Sequence, residues 1–206
     1  MNGSDMMLSE SFMLFLLLNE SRIMLIVQEI LGYIFLGFIG IAGLAVFYLP
    51  VYFKLKNKVP LSRQITYFLF VACVLVILVV TILDSLVVNI MDGRGMIAAE
   101  RSLNIIPLYS ITQTWLMGSR KKITQIIANV FMFVPPGFIC PAAFPGARKW
   151  WKTTAYMAIF SFGIEFVQYF IGRTADIDDF ILNTLGGLLG YLIFYNGVKI
   201  RNLAKR

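Results

Sequence analysis

The sequence predicts an all-α, polytopic helical membrane protein, with about five transmembrane helices and a short N-terminal interfacial helix. Three observations carry that expectation. Hydrophobic residues make up 59% of the 206 and charged residues only 14%, where soluble domains carry about 25% charged; mean hydropathy is +0.79. Five apolar runs reach the roughly 20 residues that a bilayer crossing requires. Basic residues crowd the short segments beside those runs, the arrangement that membrane topology produces.

Residues 1–29 are expected to form the N-terminal interfacial segment. Their apolar stretch Phe12–Leu18 is too short to span, and it lacks the basic start and small-residue cleavage site of a secretory signal. Residues 30–206 read as one five-span domain. Ile30–Phe53 and Ile65–Leu83 carry no charge. Neither does Ile123–Ala147, where Pro135 and Pro136 are expected to kink the helix and release backbone carbonyls. Thr153–Gly172 holds one charge, Glu165, and Phe180–Val198 holds none. The 84–122 connection contains Leu103, Ile105, Ile106, Leu108, Trp115 and Leu116, too apolar for a free loop. It is expected to lie along the outer membrane surface or to dip back into the bundle.

Orientation follows from the basic residues. Lys54, Lys56, Lys58 and Arg63 follow the first span; Arg148, Lys149 and Lys152 follow the third; Lys199, Arg201, Lys205 and Arg206 follow the fifth. These three segments contain no acid and share one side in a five-span topology, which the positive-inside rule makes cytoplasmic. Arg120, Lys121 and Lys122 run against the trend. The N-terminus, the 84–122 connection and the 173–179 turn then face outward, and the C-terminus is cytoplasmic.

Composition also limits the chemistry. There is no histidine, so the usual neutral-pH proton carrier and commonest metal ligand is missing. Cys73 and Cys140 sit inside apolar runs and read as packing residues, not as a disulfide or ligand pair. The net charge of +7 resides in the topological segments without a nucleic-acid motif, so nucleic acid is excluded as a partner. No cofactor is expected, although a divalent cation is chemically open.

The polar residues of the last three spans are the candidate site. A lone charge near the bilayer centre costs roughly 2.5–3.5 kcal/mol on insertion scales, so such groups face a protein interior, pair, or handle a ligand. Ser161, Glu165 and Gln168 fall at i, i+4, i+7 on one helical stripe. Asp176, Asp179 and Asn183 fall at i, i+3, i+7, continued inward by Gly186, Gly187 and Gly190, while Asn129, Phe133 and Gly137 repeat every four residues. Architectural readings stand beside the functional one. Asp176 or Asp178 can cap the fifth helix and oppose its macrodipole; Arg173 can neutralise Glu165 and Asp179; Gly186-x-x-x-Gly190 fits close helix packing. The cluster permits cation ligation by Glu165, Asp176 and Asp179, acid/base work at Glu165, or anion binding by Arg173 and Arg101. Spacing alone leaves the three open.

These residues resemble the VanZ-like membrane proteins, a family named after an accessory glycopeptide-resistance protein. The resemblance runs from about Arg101 to Leu192. It comprises Arg-Ser-Leu-Asn-Ile-Ile-Pro at 101–107 and the pattern Asn129, Phe133, Pro135, Gly137. It continues with Ser161, Ile164, Glu165, Gln168 and closes on Arg173, Asp176, Asp178, Asp179, Asn183, Gly186, Gly190. Leu108 stands where the family has an aromatic. The resemblance implies a multi-pass bacterial protein whose founding relative is associated with low-level teicoplanin resistance.

The expected function is to bind or process a lipid-linked component of the cell envelope in a pocket opening outward from the bacterial cytoplasmic membrane. Glu165 and Asp179 are the candidate catalytic carboxylates. Arg101, Asn104, Asn129, Ser161, Gln168, Arg173, Asp176 and Asn183 are the candidate binding residues. The expected partner is a membrane lipid or lipid-linked precursor, with the oligomeric state open. The alternative is a non-catalytic scaffold whose buried polar network fixes helix packing.

Overall fold

The computed structural model describes residues 38–93, 101–117 and 120–203, with positions 24, 31, 35, 95 and 97 in isolation. The interfacial helix expected at 12–18 lies outside the described residues. The chain forms two compact units, Met1–Phe47 and Tyr48–Arg206. In the first, residues 38–47 are helical. The second unit carries everything that follows.

Helix α1 (Phe38–Leu55) ends in the Lys-rich turn before Pro60. Helix α2 (Leu61–Leu78) runs through a π-helical turn, Val79–Leu83, directly into α3 (Asp84–Met91). Strand β1 (Ser102–Asn104) and helix α4 (Tyr109–Met117) occupy the apolar connection. Helices α5 (Arg120–Ala143), α6 (Trp150–Phe170) and α7 (Ile177–Leu203) close the chain, with strand β2 (Thr174–Asp176) between the last two. The protein is thus an all-α helical membrane protein.

Four helical stretches among the described residues are long and apolar enough to cross a membrane: Phe38–Leu55, Leu61–Met91, Ile123–Ala143 and Ile177–Leu203. The other expected span, 153–172, falls on α6. At 21 residues, about 31 Å long, α6 has the length but not the hydropathy, because Thr153, Ser161, Glu165 and Gln168 interrupt it. Those four side chains are buried within the bundle. The opposite face of α6, with Ile159, Phe162 and Phe166, is exposed, so the polar stripe is the side turned toward the other helices.

Glycine brings α5 and α7 together. A Cβ on Gly186 would meet the Val130 carbonyl oxygen, one on Gly190 would meet that of Val134, and Gly137 lies directly against Gly187. Helix-to-helix backbone approach of this kind needs small residues at the seam. Phe133, Cys140, Met157 and Ile164 fill the adjoining core. Helix α5 remains continuous through Pro135, Pro136 and Pro141. Each proline removes one N–H from the ladder and frees a carbonyl one turn earlier.

In the described part of the 84–122 connection, Leu103, Ile105, Ile106, Leu108 and Leu116 are exposed, while β1 and α4 dock on the segments that follow. β1 pairs in parallel with β2, in the register Ser102↔Thr174, Leu103↔Ala175, Asn104↔Asp176. α4 packs against α5 and α7. Three-residue strands without alternating polarity leave no periodic signal, so the strand pair was not foreseeable from sequence.

Candidate functional site

Three helices, the π turn and the segment after α6 converge on a cavity of about 180 Å³. α6 supplies Glu165 and Gln168, α7 supplies Asp179 and Asn183, and α5 supplies Asn129. Arg173 enters from the turn between α6 and β2.

Local sequence explains these placements. Gly172 takes φ +80°, and the Arg173 N–H donates to Gln168 O at 3.0 Å. That is the six-to-one bond of a glycine-terminated helix end. It stops α6 just beyond Gln168 and turns Arg173 back toward α2. There the Arg173 Nη1 and Gln168 Nε2 both donate to the carbonyl of Thr81, each at 3.2 Å. Arg173 Nη1 donates also to Ser85 Oγ at 3.2 Å. Thr81 belongs to the π turn, and π turns interrupt the ordinary carbonyl ladder, often at functional sites.

The carboxylates divide by what they touch. Asp178, almost fully buried, accepts the backbone N–H groups of Leu108, Ser110 and Ile111 at 2.5, 2.9 and 3.3 Å. It therefore caps α4, a helix some 70 residues away in sequence, and corrects the reading of Asp178 as a cap on its own helix. Asp176 does that work: its Oδ1 accepts the Asp178 N–H at 2.9 Å, the ordinary N-cap bond. Asp176 also binds Asn104 Nδ2 at 3.0 Å and accepts the Ser110 hydroxyl.

Glu165 and Asp179 are less committed. Glu165 Oε2 accepts the Asp176 N–H at 2.8 Å, which ties α6 to the strand pair. Asp179 Oδ2 receives a long bond, 3.4 Å, from Gln125 Nε2. Asn183 Nδ2 donates to Ser161 Oγ at 3.0 Å. Asn183 Oδ1 is buried with no hydrogen-bond partner, and the Asn129 side chain lies against the Asp179 carboxylate.

Outside this cavity, Glu165 also lines two apolar grooves of about 200 and 290 Å³. Leu103, Phe162 and Ala175 are common to both, and Phe166 and Phe170 extend the larger. The Arg101 guanidinium lies over the Phe170 ring at 4.8 Å and over Tyr169 at 5.6 Å, bordering the larger groove.

Six of the ten expected site residues therefore share one cavity: Glu165, Gln168, Arg173, Asp179, Asn129 and Asn183. Ser161 lies behind it, bonded to Asn183. Asn104 and Asp176 bind each other across the strand pair. Arg101 stands apart on the aromatic ledge, so the two arginines expected to hold one head group do not line the same space. Thr81, Ser85 and Gln125 escaped the sequence reading. Gln125 lies four residues before Asn129 on the same helical face, which is a detectable signal; a carbonyl acceptor such as Thr81 leaves none. Among the described residues, no group of three His, Cys, Asp or Glu side chains is placed to hold a metal ion.

These features define a class: a helical integral membrane protein with an acid-and-amide cavity enclosed between its last three helices. A family model described as VanZ/LLP1 matches residues 68–200. The chain belongs to that VanZ-like family. The matched span reaches back into α2 and takes in the π turn and α3, which supply Thr81 and Ser85. No curated protein and no solved structure matches the chain.

Proposed function

We propose that the protein binds or processes a membrane amphiphile of the bacterial cell envelope, such as a lipid-linked precursor, and thereby contributes to teicoplanin-type glycopeptide resistance. One observation carries this reading. Glu165 stands at the junction of two kinds of space, a polar cavity on one side and lipid-facing apolar grooves on the other. A molecule with a polar head and an apolar tail fits such a junction, head inward and tail along Phe162 and Phe166. Glu165 is the central acid/base group, with Asp179 beside it and Gln168 and Arg173 holding the far wall. Arg101 meets anionic groups at the groove's edge. The distribution of basic residues supports a cavity opening to the outer face of the cytoplasmic membrane, with the N-terminus outside and the C-terminus inside.

Glu165→Gln is expected to leave protein level and membrane insertion intact while abolishing teicoplanin resistance in an expressing host. Wild-type resistance from a normally expressed variant rules the role out. Orientation has its own check, in a chain with Cys73 and Cys140 replaced by Ala. An impermeant thiol reagent on intact cells is expected to label Asp92→Cys and to spare Asn57→Cys.

A second reading rests on a different observation: Asp176, Asp178 and Glu165 all accept backbone N–H groups. On that reading the cluster is a scaffold that fixes helix packing and performs no further task. Glu165→Gln and Asp179→Asn would then lower thermal stability and abundance together, whereas stable, inactive variants contradict it.

A further inference from the structure

We infer that the amphiphile carries a phosphate, and that this phosphate docks on Arg101 at the edge of the 290 Å³ groove, outside the polar cavity. The inference rests on the amphiphile reading and adds the ligand's charged group and its place. Arg101 is exposed, yet it is held from two directions. It directly precedes β1, which the Ser102↔Thr174 register pins to β2. Its guanidinium lies over Phe170 at 4.8 Å and over Tyr169 at 5.6 Å. Among the described residues its charge meets these aromatic faces and no carboxylate. A guanidinium laid on rings keeps its edge N–H groups free, and that planar fork matches phosphate oxygens two at a time.

Charge decides between the two arginines. Inside the cavity an anion would face Glu165 and Asp179, two carboxyl groups against the single guanidinium of Arg173. The Nη1 of that guanidinium already donates to Thr81 O and Ser85 Oγ. Arg101 has no such competition. An ammonium would be repelled there, and an uncharged lipid would leave the fork unused. Depth points to a phosphate. α6 ends at Phe170, and a tyrosine beside such a helix end sits at the level of lipid head groups, where membrane phosphates lie. The rest of the groove takes the tail: Leu103, Phe162, Phe166 and Ala175 line it, and only Glu165 breaks its apolar wall. Glu165 lies four residues before Tyr169, about 6 Å back along α6. A group attached to the bound phosphate then faces the Glu165 carboxyl.

The test uses the full chain in detergent micelles doped with one lipid at a time, all with the same acyl chains. The probes are phosphatidic acid, succinyl-diacylglycerol, whose charge is a carboxylate, and diacylglycerol, which has none; the readout is lipid retention by native mass spectrometry. Phosphatidic acid is expected to be retained about tenfold more strongly than diacylglycerol and about threefold more strongly than the succinyl lipid. Arg101→Gln is expected to cut phosphatidic acid retention by about threefold to fivefold, with diacylglycerol retention unchanged. Lys152→Gln, at the other end of α6, is expected to change neither. Equal losses from Arg101→Gln and Lys152→Gln overturn the inference, because they report a general attraction of anions. Phosphatidic acid held no better than diacylglycerol or the succinyl lipid also overturns it and spares the amphiphile reading. Excess inorganic phosphate is expected to leave the bound lipid in place; displacement would assign the site to free phosphate and overturn the lipid ligand. Failure to retain any of the three lipids ends both.

Discussion

Two groups of carboxylates meet where α6 ends and α7 begins, and they do different things. On the strand-pair side, the oxygens of Asp178 are occupied by three backbone N–H groups of α4, and those of Asp176 by Asn104, Ser110 and the start of α7. On the cavity side, Glu165 receives one backbone N–H and Asp179 only the side-chain amides of Gln125 and Asn129, and both line the cavity with Arg173. Burial is similar and all four are carboxylic acids. What differs is how much of each carboxylate's hydrogen-bonding capacity the fold has already used. A buried acid whose acceptors are filled by backbone is part of the architecture; one with capacity left over is available to a ligand.

The sharpest way to break this contrast is Asp178→Ala. It strips three N–H groups of their acceptor in a buried setting and is expected to lower stability by about 3–5 kcal/mol, measured by thermal unfolding in detergent and by abundance in the membrane. A well-folded Asp178→Ala protein would collapse the distinction. Next comes Gly190→Val, which drives a side chain into the Val134 carbonyl. Overpacking at that seam is expected to cost about 1–3 kcal/mol with no specific effect on head-group retention, which would show the seam to be architectural as well. Glu165→Gln follows. It keeps an oxygen for the Asp176 N–H, so stability is expected to change by less than about 1 kcal/mol, while resistance is lost. Comparable destabilisation by Glu165→Gln and Asp178→Ala would place both acids in one class. The smallest effect is expected from Arg101→Gln, which removes an exposed cation from the Phe170 ring and costs about 0.5–1 kcal/mol. Its readout is a modest drop in retention of anionic lipid, with folding unchanged.

Helical spacing made much of the site legible. The i, i+4, i+7 stripe at Ser161, Glu165 and Gln168 and the Asp179 and Asn183 pair on α7 do point inward, because a side chain's direction on a helix is fixed by its place in the turn; Asp176, expected on the same face, precedes the helix in β2 and turns to Asn104 instead. The glycine face of α7 was equally readable, since only small residues permit the contact it makes with α5. The two-sidedness of α6 is visible too: Thr153, Ser161, Glu165 and Gln168 share its buried side, while Ile159, Phe162 and Phe166 are exposed. The rest was hidden by its non-local nature. Asp178 looked like a cap on the helix it begins, and nothing in the residues around it reveals that Leu108, Ser110 and Ile111 arrive from the other side of the sequence. The strand pair and the Thr81 carbonyl are made of backbone, whose pairing leaves no mark in side-chain identity. Arg101 was grouped with Arg173 because both are cations near one face, whereas the aromatic rings of Tyr169 and Phe170 hold it elsewhere.

The π turn at Val79–Leu83 holds one more residue than a regular helix of the same hydrogen-bonding pattern would. Were the same residues wound as a regular α-helix, every later position of α3 would swing by about 100° around its axis. Ser85 would leave the guanidinium of Arg173, and Asn89 would lose its grip on the Ile171 carbonyl. The wide turn, in a segment holding none of the site's carboxylates, thus sets the phase at which α3 fastens to the end of α6.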